Sequence, residues 1–484
     1  MKRIVILLLL GLTLLLRSAD DNCYTVIVGR DASENGSVLL AHNEDDRGKP
    51  VFVDMHRIAA AFHSLQDRVV LKSGATISQV KKTNGFLWIQ LAGYEFGDSY
   101  FNENGVSIAS NACPSREKQG NLEMGGIGFM LRRLIAERAQ SARHAVKLAG
   151  QLIDSLGYSS SGRSLTIADA KEAWVMHLVR GKHWLAQRVP DDEVVVIANR
   201  YVINEIDFAD TANFLGSTDI VDHARKRGWI KPGAAFSFAP VYASPESYDA
   251  PANILRQWRG VSLLAKEKFT PESRLPFSFK PRRKIQVSDL FSVLRDHYED
   301  TEYDTTDEYR KGSPNSGGHR TICTESTQYS FVCELRDHLP REMAHLLWLA
   351  FRRPDSNAYS PWYFSISDPP SGYSRLPAAT ALKQHFNPPP GYFKPEANFA
   401  FFAFDELSEL VDRNYRERIR AVRKEWNNYE NYVLKNLQKK EREFLYLAKR
   451  HRAITINLIT NYVSNLEYRK WFLATELIRQ FSHR

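Results

Sequence analysis

A short apolar leader followed by a lone cysteine sets where the folded part of this 484-residue chain begins. Lys2 and Arg3 open the chain, residues 4–16 are almost all apolar, and small residues at 18 and 19 precede an acidic pair. This order is typical of a secretory signal peptide, and the apolar run is shorter than the ~20 residues that span a membrane. We therefore expect residues 1–22, a signal peptide plus a short propeptide, to be removed and the mature protein to be secreted or periplasmic. An uncleaved N-terminal anchor is the alternative, because Arg17 directly follows the leucines.

The composition excludes several classes of protein. Apolar residues make up 43% and aromatic residues 12% of the chain, as in a globular protein with a large core. The net charge of +9 is spread without a dense basic run, so we expect no nucleic-acid partner. No second apolar segment approaches spanning length, so no stable membrane insertion is expected after processing.

Hydrophobic patterning predicts an α+β fold. Strand-like segments occupy residues 24–108 and 164–203, and between them apolar residues at helical spacing run up to Gly157. From residue 405 onward the chain is charged and helical, and it could pack on the core, mediate subunit contact or stay solvated. We therefore divide the chain into the leader, a main domain (23–400) and a C-terminal charged helical region (401–484).

Cys23 stands where the leader meets the first predicted strand, and four fates are open to it. It could be lipidated, form a disulfide with Cys113, Cys323 or Cys333, or remain a buried thiol. Cys323 and Cys333 could also pair with each other in a stretch that reads as strand-turn-strand. If the bond before Cys23 is cut, its α-amine (pKa ~7.7–8.0) can accept the proton of its own thiol (pKa ~8.5) and make a nucleophile.

The residues after Cys23 predict a β-hairpin. "CYTVIVG" alternates like a strand, Asn35-Gly36 is a strong turn signal, and "SVLLAHNEDD" reads as the returning strand. A hairpin would bring the acidic residues 44–46 back beside Cys23, where one of them could hold the new amine. Solvated loop residues are the alternative for this acidic cluster.

Seven ordered segments resemble those of a known family. They are similar to segments of the secreted cysteine dipeptidases of the N-terminal-nucleophile hydrolase superfamily, which are related to secernins, and more distantly to penicillin V acylase and the bile-salt amidases. The resemblance covers residues 23–363 and implies a four-layer αββα sandwich for residues 23–400, with the C-terminal helical region added to it. The segments are "CYTVIVGRDASENGSVLLAHNEDD", "FNENGVSIASNA", "GYSSSGRSLTIADAKEAWVMHLV", "RVPDDEVVVIANRYVINEID", "RQWRG", "LRDHYEDTEYD" and "YSPWY".

The resemblance also implies roles for single residues. Cys23 matches the nucleophile, and Asp45 matches the aspartate that holds its amine. Asn111 matches an oxyanion-hole position and Asn199 the second asparagine of the site, although both could be turn residues that satisfy their own backbone. His42 stands where an arginine is usual, and a protonated histidine could replace part of that charge.

Two arginines in "LRQWRG" complete the predicted site. Arg256 matches the late arginine of the family, and Arg259, one turn away, is an alternative. Either could bind the carboxylate of a dipeptide, and a helix surface is the other reading for both. The segment around Arg295, Asp296 and His297 lacks metal-ligand spacing, so we expect a structural loop there and neither metal nor cofactor.

The sequence therefore predicts an exported cysteine hydrolase that cleaves the amide bond of dipeptides through a thioester on an N-terminal cysteine. Signal peptidase would cut after Ala19, and a second cut, which could be autocatalytic, would remove residues 20–22. An amidase of N-acyl amides and a non-catalytic binding protein with the same fold are the alternatives. The expected partners are small peptide substrates, and a homo-oligomer is possible. The residues assigned to catalysis are Cys23, Asp45, Asn111, Asn199 and Arg256, and those assigned to substrate binding are His42 and Arg259.

Overall fold

The computed structural model describes residues 23–46, 51–315, 317–385 and 388–482, so the predicted leader and propeptide (1–22) lie outside the described residues. The strands are β1 (Tyr24–Val28), β2 (Val38–Asp45), β3 (Val53–Ile58), β4 (Ala61–Phe62), β5 (Arg68–Val70), β6 (Thr76–Ser78), β7 (Lys82–Thr83), β8 (Phe86–Leu91), β9 (Ser99–Asn102), β10 (Ser107–Ala112), β11 (Tyr158–Ala168), β12 (Ala173–Gly181), β13 (Trp184–Arg188), β14 (Val194–Ala198), β15 (Phe214–Gly216), β16 (Thr327–Leu335), β17 (His345–Phe351) and β18 (Ser360–Tyr363). The helices are α1 (Met130–Arg138), α2 (Ala142–Leu156), α3 (Ile220–Lys226), α4 (Phe238–Tyr242), α5 (Pro245–Tyr248), α6 (Pro251–Leu264), α7 (Val287–Leu294), α8 (Arg341–Ala344), α9 (Ala378–Gln384), α10 (Ala400–Arg413), α11 (Tyr415–Ala448) and α12 (Arg452–Ser482).

Two large antiparallel sheets form the centre of the protein. One has six strands in the order β14-β1-β2-β16-β17-β18, and the other has eight in the order β15-β13-β12-β11-β10-β9-β8-β3. The predicted hairpin is present as β1 and β2, and β1 also pairs with β14. Tyr24 faces Ala198 on β14 and Asn43 on β2, so Cys23 lies beside the ends of both neighbouring strands.

The two sheets pack face to face, and helices cover both outer sides. Thr25 on β1 donates a hydrogen bond across the interface to Asn111 on β10, and Phe331 on β16 packs edge-on against Phe101 on β9. Helices α1 and α2 pack on the eight-stranded sheet, whereas α6, α7, α10 and α12 pack on the six-stranded sheet. The predicted α+β, αββα arrangement is therefore confirmed.

Local sequence signals explain the helix boundaries around the first helical layer. The helical stretch ends at Gly157 as predicted, because the backbone there has φ 78°, which glycine adopts without a steric cost. Ser141 divides this stretch into α1 and α2, since its side chain accepts a hydrogen bond from the backbone N–H of His144 and caps α2.

The C-terminal helices pack on the core. Phe404 on α10 and Trp426 on α11 are buried in the hydrophobic core that the sheets also build. Of the alternatives for this region, packing on the core is the one found, while the boundary at residue 401 stays a prediction. Among the described residues, no helix combines the length and hydropathy needed to cross a bilayer.

The four cysteines are all buried and free. The disulfide alternatives for Cys23 and for the pair Cys323 and Cys333 are therefore wrong. Cys333 lies on β16, but Cys323 lies in the loop before it, so residues 320–335 form a loop and one strand rather than a strand-turn-strand unit. The loop forms because its polar side chains, such as Thr321, Thr324 and Ser326, bond to each other and to nearby backbone.

Candidate active site

The Cys23 thiol is buried at the start of the central strand β1. Its Sγ donates a hydrogen bond to Glu44 Oε1 at 3.2 Å, and the backbone of Asp45 also bonds to the thiol. Burial raises the pKa of Cys23 well above its usual range, and Glu44 and Asp45 act in the same direction, whereas Arg163 lowers it. With residues 1–22 attached, Cys23 has no free amine, so its thiol stays protonated.

A continuous chain of hydrogen bonds runs from this thiol into the interface between the sheets. Glu44 Oε2 lies 2.9 Å from His42 Nε2, and His42 Nδ1 lies 2.8 Å from Thr25 Oγ1. Thr25 donates its only hydroxyl hydrogen to Asn111 Oδ1 at 2.7 Å, so Thr25 must accept the Nδ1 hydrogen of His42. One proton therefore lies between His42 Nε2 and Glu44 Oε2, and the His42–Glu44 pair as a whole is neutral.

The surroundings of His42 disfavour the positive charge that the sequence allowed for. Burial lowers the pKa of His42 to about 3, so a protonated imidazole at this position stays a prediction that its burial opposes. The nearby charge comes from Arg132 on α1 and Arg163 on β11, both buried and both bonded to Ser110 Oγ, at 2.7 and 3.2 Å. Sequence analysis assigned neither arginine to the site. For Arg163 a signal was available, because it lies within the buried strand pattern "GRSLTIA".

Asp45 lies at the end of β2, and its carboxylate turns toward the loop before β16. Thr327 donates a hydrogen bond to Asp45 Oδ1 at 2.7 Å, and Arg320 Nη2 lies 3.4 Å from Oδ2. Burial raises the pKa of Asp45 to about 6, although Arg320 and the Thr327 hydrogen bond oppose the shift. Arg320 is a further residue that sequence analysis did not assign to the site.

Asn199 directly follows β14, on the side of Cys23 opposite to Glu44. Its side chain donates a hydrogen bond to Ala112 O at 2.9 Å and accepts one from Arg256 Nη2 at 3.0 Å. The backbone of Asn199 has φ 23°, which is uncommon for a residue other than glycine and is a form of strain that clusters at functional sites.

Arg256 and Arg259 both lie on α6, but they point to different partners. Arg256 is fully buried and holds Asn199 and Asn253, so the helix-surface alternative is wrong for it; burial lowers its pKa to about 10. Arg259 instead forms a two-point ion pair with Asp296, with its Nη2 at 2.6 Å from Oδ2. Arg259 therefore positions the loop after α7 rather than joining the residues around Cys23.

The geometry fits nucleophilic attack by sulfur. The thiol lies at a strand end, with carboxyl groups on one side, asparagine amides on the other and buried guanidinium groups nearby. Cys23, His42 and Glu44 also offer three ligand atoms within 4.8 Å of one another, which is close enough to hold a metal ion. Glu44 already bonds to Cys23 through Oε1 and to His42 through Oε2, so a metal would have to displace the protons in these two bonds.

Comparison with known proteins identifies the family. Residues 121–428 match the model of peptidase family C69. A "Probable dipeptidase" of Latilactobacillus sakei is 28% identical over 406 residues, which is 81% of each chain. A "Probable dipeptidase B" of Lactococcus lactis subsp. lactis (strain IL1403) is 26% identical over 454 residues, covering 90% of this chain and 92% of its own. A solved structure of a mutant conjugated bile acid hydrolase from Clostridium perfringens matches 71% of this chain and 92% of its own, with 11% identity and a TM-score of 0.34. The family model covers more than half of the sequence, and the chain therefore belongs to peptidase family C69.

Proposed function

We propose that the protein is an exported cysteine hydrolase that cleaves the amide bond of dipeptides through a thioester on an N-terminal Cys23. The observation that carries this proposal is the placement of the buried thiol at the start of β1, flanked by Glu44 and Asp45 on one side and by Asn199 on the other. The dipeptidase names of the similar proteins supply the substrate class.

The proposed reaction uses the α-amine of Cys23 as its base. The amine takes the thiol proton, and the thiolate attacks the amide carbon and forms a C–S bond. The C–N bond then breaks, and the leaving amine receives the proton that the α-ammonium holds. Water attacks the thioester with the amine again accepting a proton, which releases the acid product and restores the thiol.

The side chains around the thiol would stabilise the charge that develops on the carbonyl oxygen. The side-chain amides of Asn111 and Asn199 would be the donors, and each also donates to backbone, Asn111 to Ile197 O and Asn199 to Ala112 O. In related chemistry, loss of one such donor lowers turnover by about 10²–10³. Asp45 would hold the α-ammonium, because its carboxylate lies at the adjacent strand end.

Removal of residues 1–22 in the course of export would activate the protein. The cut creates an ammonium group beside the Cys23 sulfur, and a nearby positive charge favours the thiolate. This positive charge lowers the pKa of the thiol, whereas burial raises it in the uncut chain. Detection of the mature form only outside the cytoplasm is the expected result of cell fractionation.

Replacement of Cys23 tests the proposal. Cys23→Ala should abolish dipeptide hydrolysis, while Cys333→Ala, which removes another buried thiol, should leave it largely intact. Full hydrolysis by the Cys23→Ala protein would refute the mechanism. The Cys333→Ala protein should also cleave dipeptides faster than N-acyl amino acids, and the reverse preference would instead indicate an amidase of N-acyl amides.

A further inference from the structure

A second group of side chains with metal-binding chemistry lies apart from Cys23. His297 follows α7, Cys323 lies in the loop before β16, and Asp355 follows β17. All three are buried, and each offers a ligand atom within 4.8 Å of the other two. The hydrolysis reaction proposed above uses none of them.

The imidazole of His297 is oriented toward this group by a carboxylate on its other side. Its Nδ1 lies 3.2 Å from Glu299 Oε1, and its backbone N–H donates to Glu299 Oε2 at 2.7 Å. The Glu299 carboxylate is therefore placed to accept the Nδ1 hydrogen, which leaves the Nε2 side of the ring to face the group. The buried Nε2 lies on the opposite side of the ring, facing Asp355, and the imidazole also bonds to the Cys323 thiol. A carboxylate behind a histidine in this way is the usual support of a zinc ligand.

Asp355 presents one oxygen to the same space. Its Oδ1 accepts a hydrogen bond from the backbone N–H of Ser356, whereas its Oδ2 bonds to the Tyr415 hydroxyl and lies 3.7 Å from His297 Nε2. That separation is too long for a hydrogen bond, but it is close to the roughly 3.3 Å between nitrogen and oxygen ligands of a tetrahedral zinc ion.

We propose that His297 Nε2, Cys323 Sγ and one Asp355 oxygen bind a single zinc ion, with water as the fourth ligand. Thiolate, imidazole and carboxylate are the donor set that favours Zn²⁺, and the two anionic ligands balance its charge. Nearby Arg353 forms ion pairs with Asp412 and, at 3.8 Å, with Asp355 Oδ1, so Asp355 would offer its other oxygen, Oδ2, to the metal. The sequence-based expectation was of no metal here, because the three members come from separate segments of the chain and no ligand spacing connects them.

The zinc ion would fix the loops that support the active site. Asp296, next to His297, holds Arg259 on α6, and the Tyr298 hydroxyl donates to the backbone oxygen of Arg320. Arg320 in turn reaches Asp45. The site therefore joins the loop after α7 to the loop before β16, and its role is structural.

Metal binding is tested in a Cys23→Ala protein, which removes a ligand of the second three-ligand group found among the described residues, Cys23, His42 and Glu44. Addition of zinc should give one tightly bound ion per chain, and cobalt should give a thiolate-to-metal charge-transfer band. Further replacement of Cys323→Ser or Asp355→Asn should weaken binding at least about 10-fold, whereas Cys333→Ser should not. Circular dichroism would confirm that each variant is folded.

Two results would overturn the proposal. One is the absence of zinc binding and of the cobalt band in the folded Cys23→Ala protein, which would indicate that a proton alone occupies the group. The other is equal zinc affinity in the folded Cys323→Ser and Cys333→Ser variants. Neither result depends on dipeptide hydrolysis, so the proposed function is tested separately.

Discussion

Replacement of Glu44 by glutamine tests which group carries the proton in the hydrogen-bond chain at Cys23. Glu44 accepts the thiol hydrogen on Oε1 and shares a proton with His42 Nε2 through Oε2. Glutamine reproduces a protonated glutamate atom for atom, since its oxygen accepts from sulfur and its amide donates to imidazole. Since the pKa of His42 is lowered to about 3, we expect the shared proton to reside on Glu44.

The two proton positions predict different stabilities for the Glu44→Gln protein. If the proton is on Glu44, every hydrogen bond survives and the free energy of unfolding should change by less than about 1 kcal/mol. If it is on His42, the substitution removes a buried ion pair, and the variant should lose up to about 3–5 kcal/mol, less what His42 recovers by releasing its proton. Glu44→Ala is the matched control, because it removes the acceptor of the thiol hydrogen and the partner of His42 Nε2, and it should cost about 2–6 kcal/mol. Urea unfolding at pH 7 measures the free energy of unfolding of the original protein and of the Glu44→Gln and Glu44→Ala variants.

The same variant distinguishes two candidate bases. With the α-amine of Cys23 as the base, the mature Glu44→Gln protein should keep kcat/KM for a dipeptide within about 10-fold of the original. If Glu44 were the base, the loss should be about 10²–10⁴-fold. A large loss of activity in a Glu44→Gln protein of unchanged stability, whose mass confirms a start at Cys23, would refute the amine mechanism.

Three further substitutions test other parts of the structure. Burial raises the pKa of Asp54 from 3.8 to about 7, so the folded state holds a proton that the unfolded state releases, and stability should fall as pH rises from about 4 to 7. Asp54→Asn should remove up to about 4 kcal/mol of this pH dependence. If the free energy of unfolding, measured with urea at several pH values, changed with pH as it does in the original protein, the raised pKa of Asp54 would be contradicted. Gly260→Ala should cost about 1–3 kcal/mol and lower activity, because its Cβ would lie 1.8 Å from the Tyr24 hydroxyl, while Gly317→Ala meets no atom within 4 Å and should be neutral. Thr25→Val should cost at least about 2 kcal/mol by leaving two buried polar groups unpaired, and an equal loss in Thr25→Ser would argue against the hydroxyl's bridging role.

Local patterns in the sequence were enough to predict the parts of the fold that depend on neighbouring residues. Alternation and turn residues predicted the β1–β2 hairpin, and the β-branched runs placed Asn111 and Asn199 near strand ends. The two-residue period of a strand could also have shown that His42 and Glu44 share one face of β2, while Asp45 faces the other way. Glu44 was therefore within reach of sequence analysis, although only Asp45 was assigned.

Contacts between segments that are distant along the chain could not be predicted from the sequence. Arg132 and Arg163 meet at Ser110 only because a helix and two strands pack together, and no spacing along the chain indicates that meeting. The lowered pKa of His42 likewise depends on its complete burial, which follows from the packing of the two sheets. Arg259 matched a substrate-binding role by position, but its partner Asp296 comes from a loop that sequence analysis treated as structural only.

The mass of the mature protein tests the central claim most directly. Exported protein that hydrolyses dipeptides should have an intact mass and an N-terminal sequence that begin at Cys23, because only that start provides the α-amine as base. Fully active protein that begins at Asp20, or at any residue before Cys23, would contradict the account.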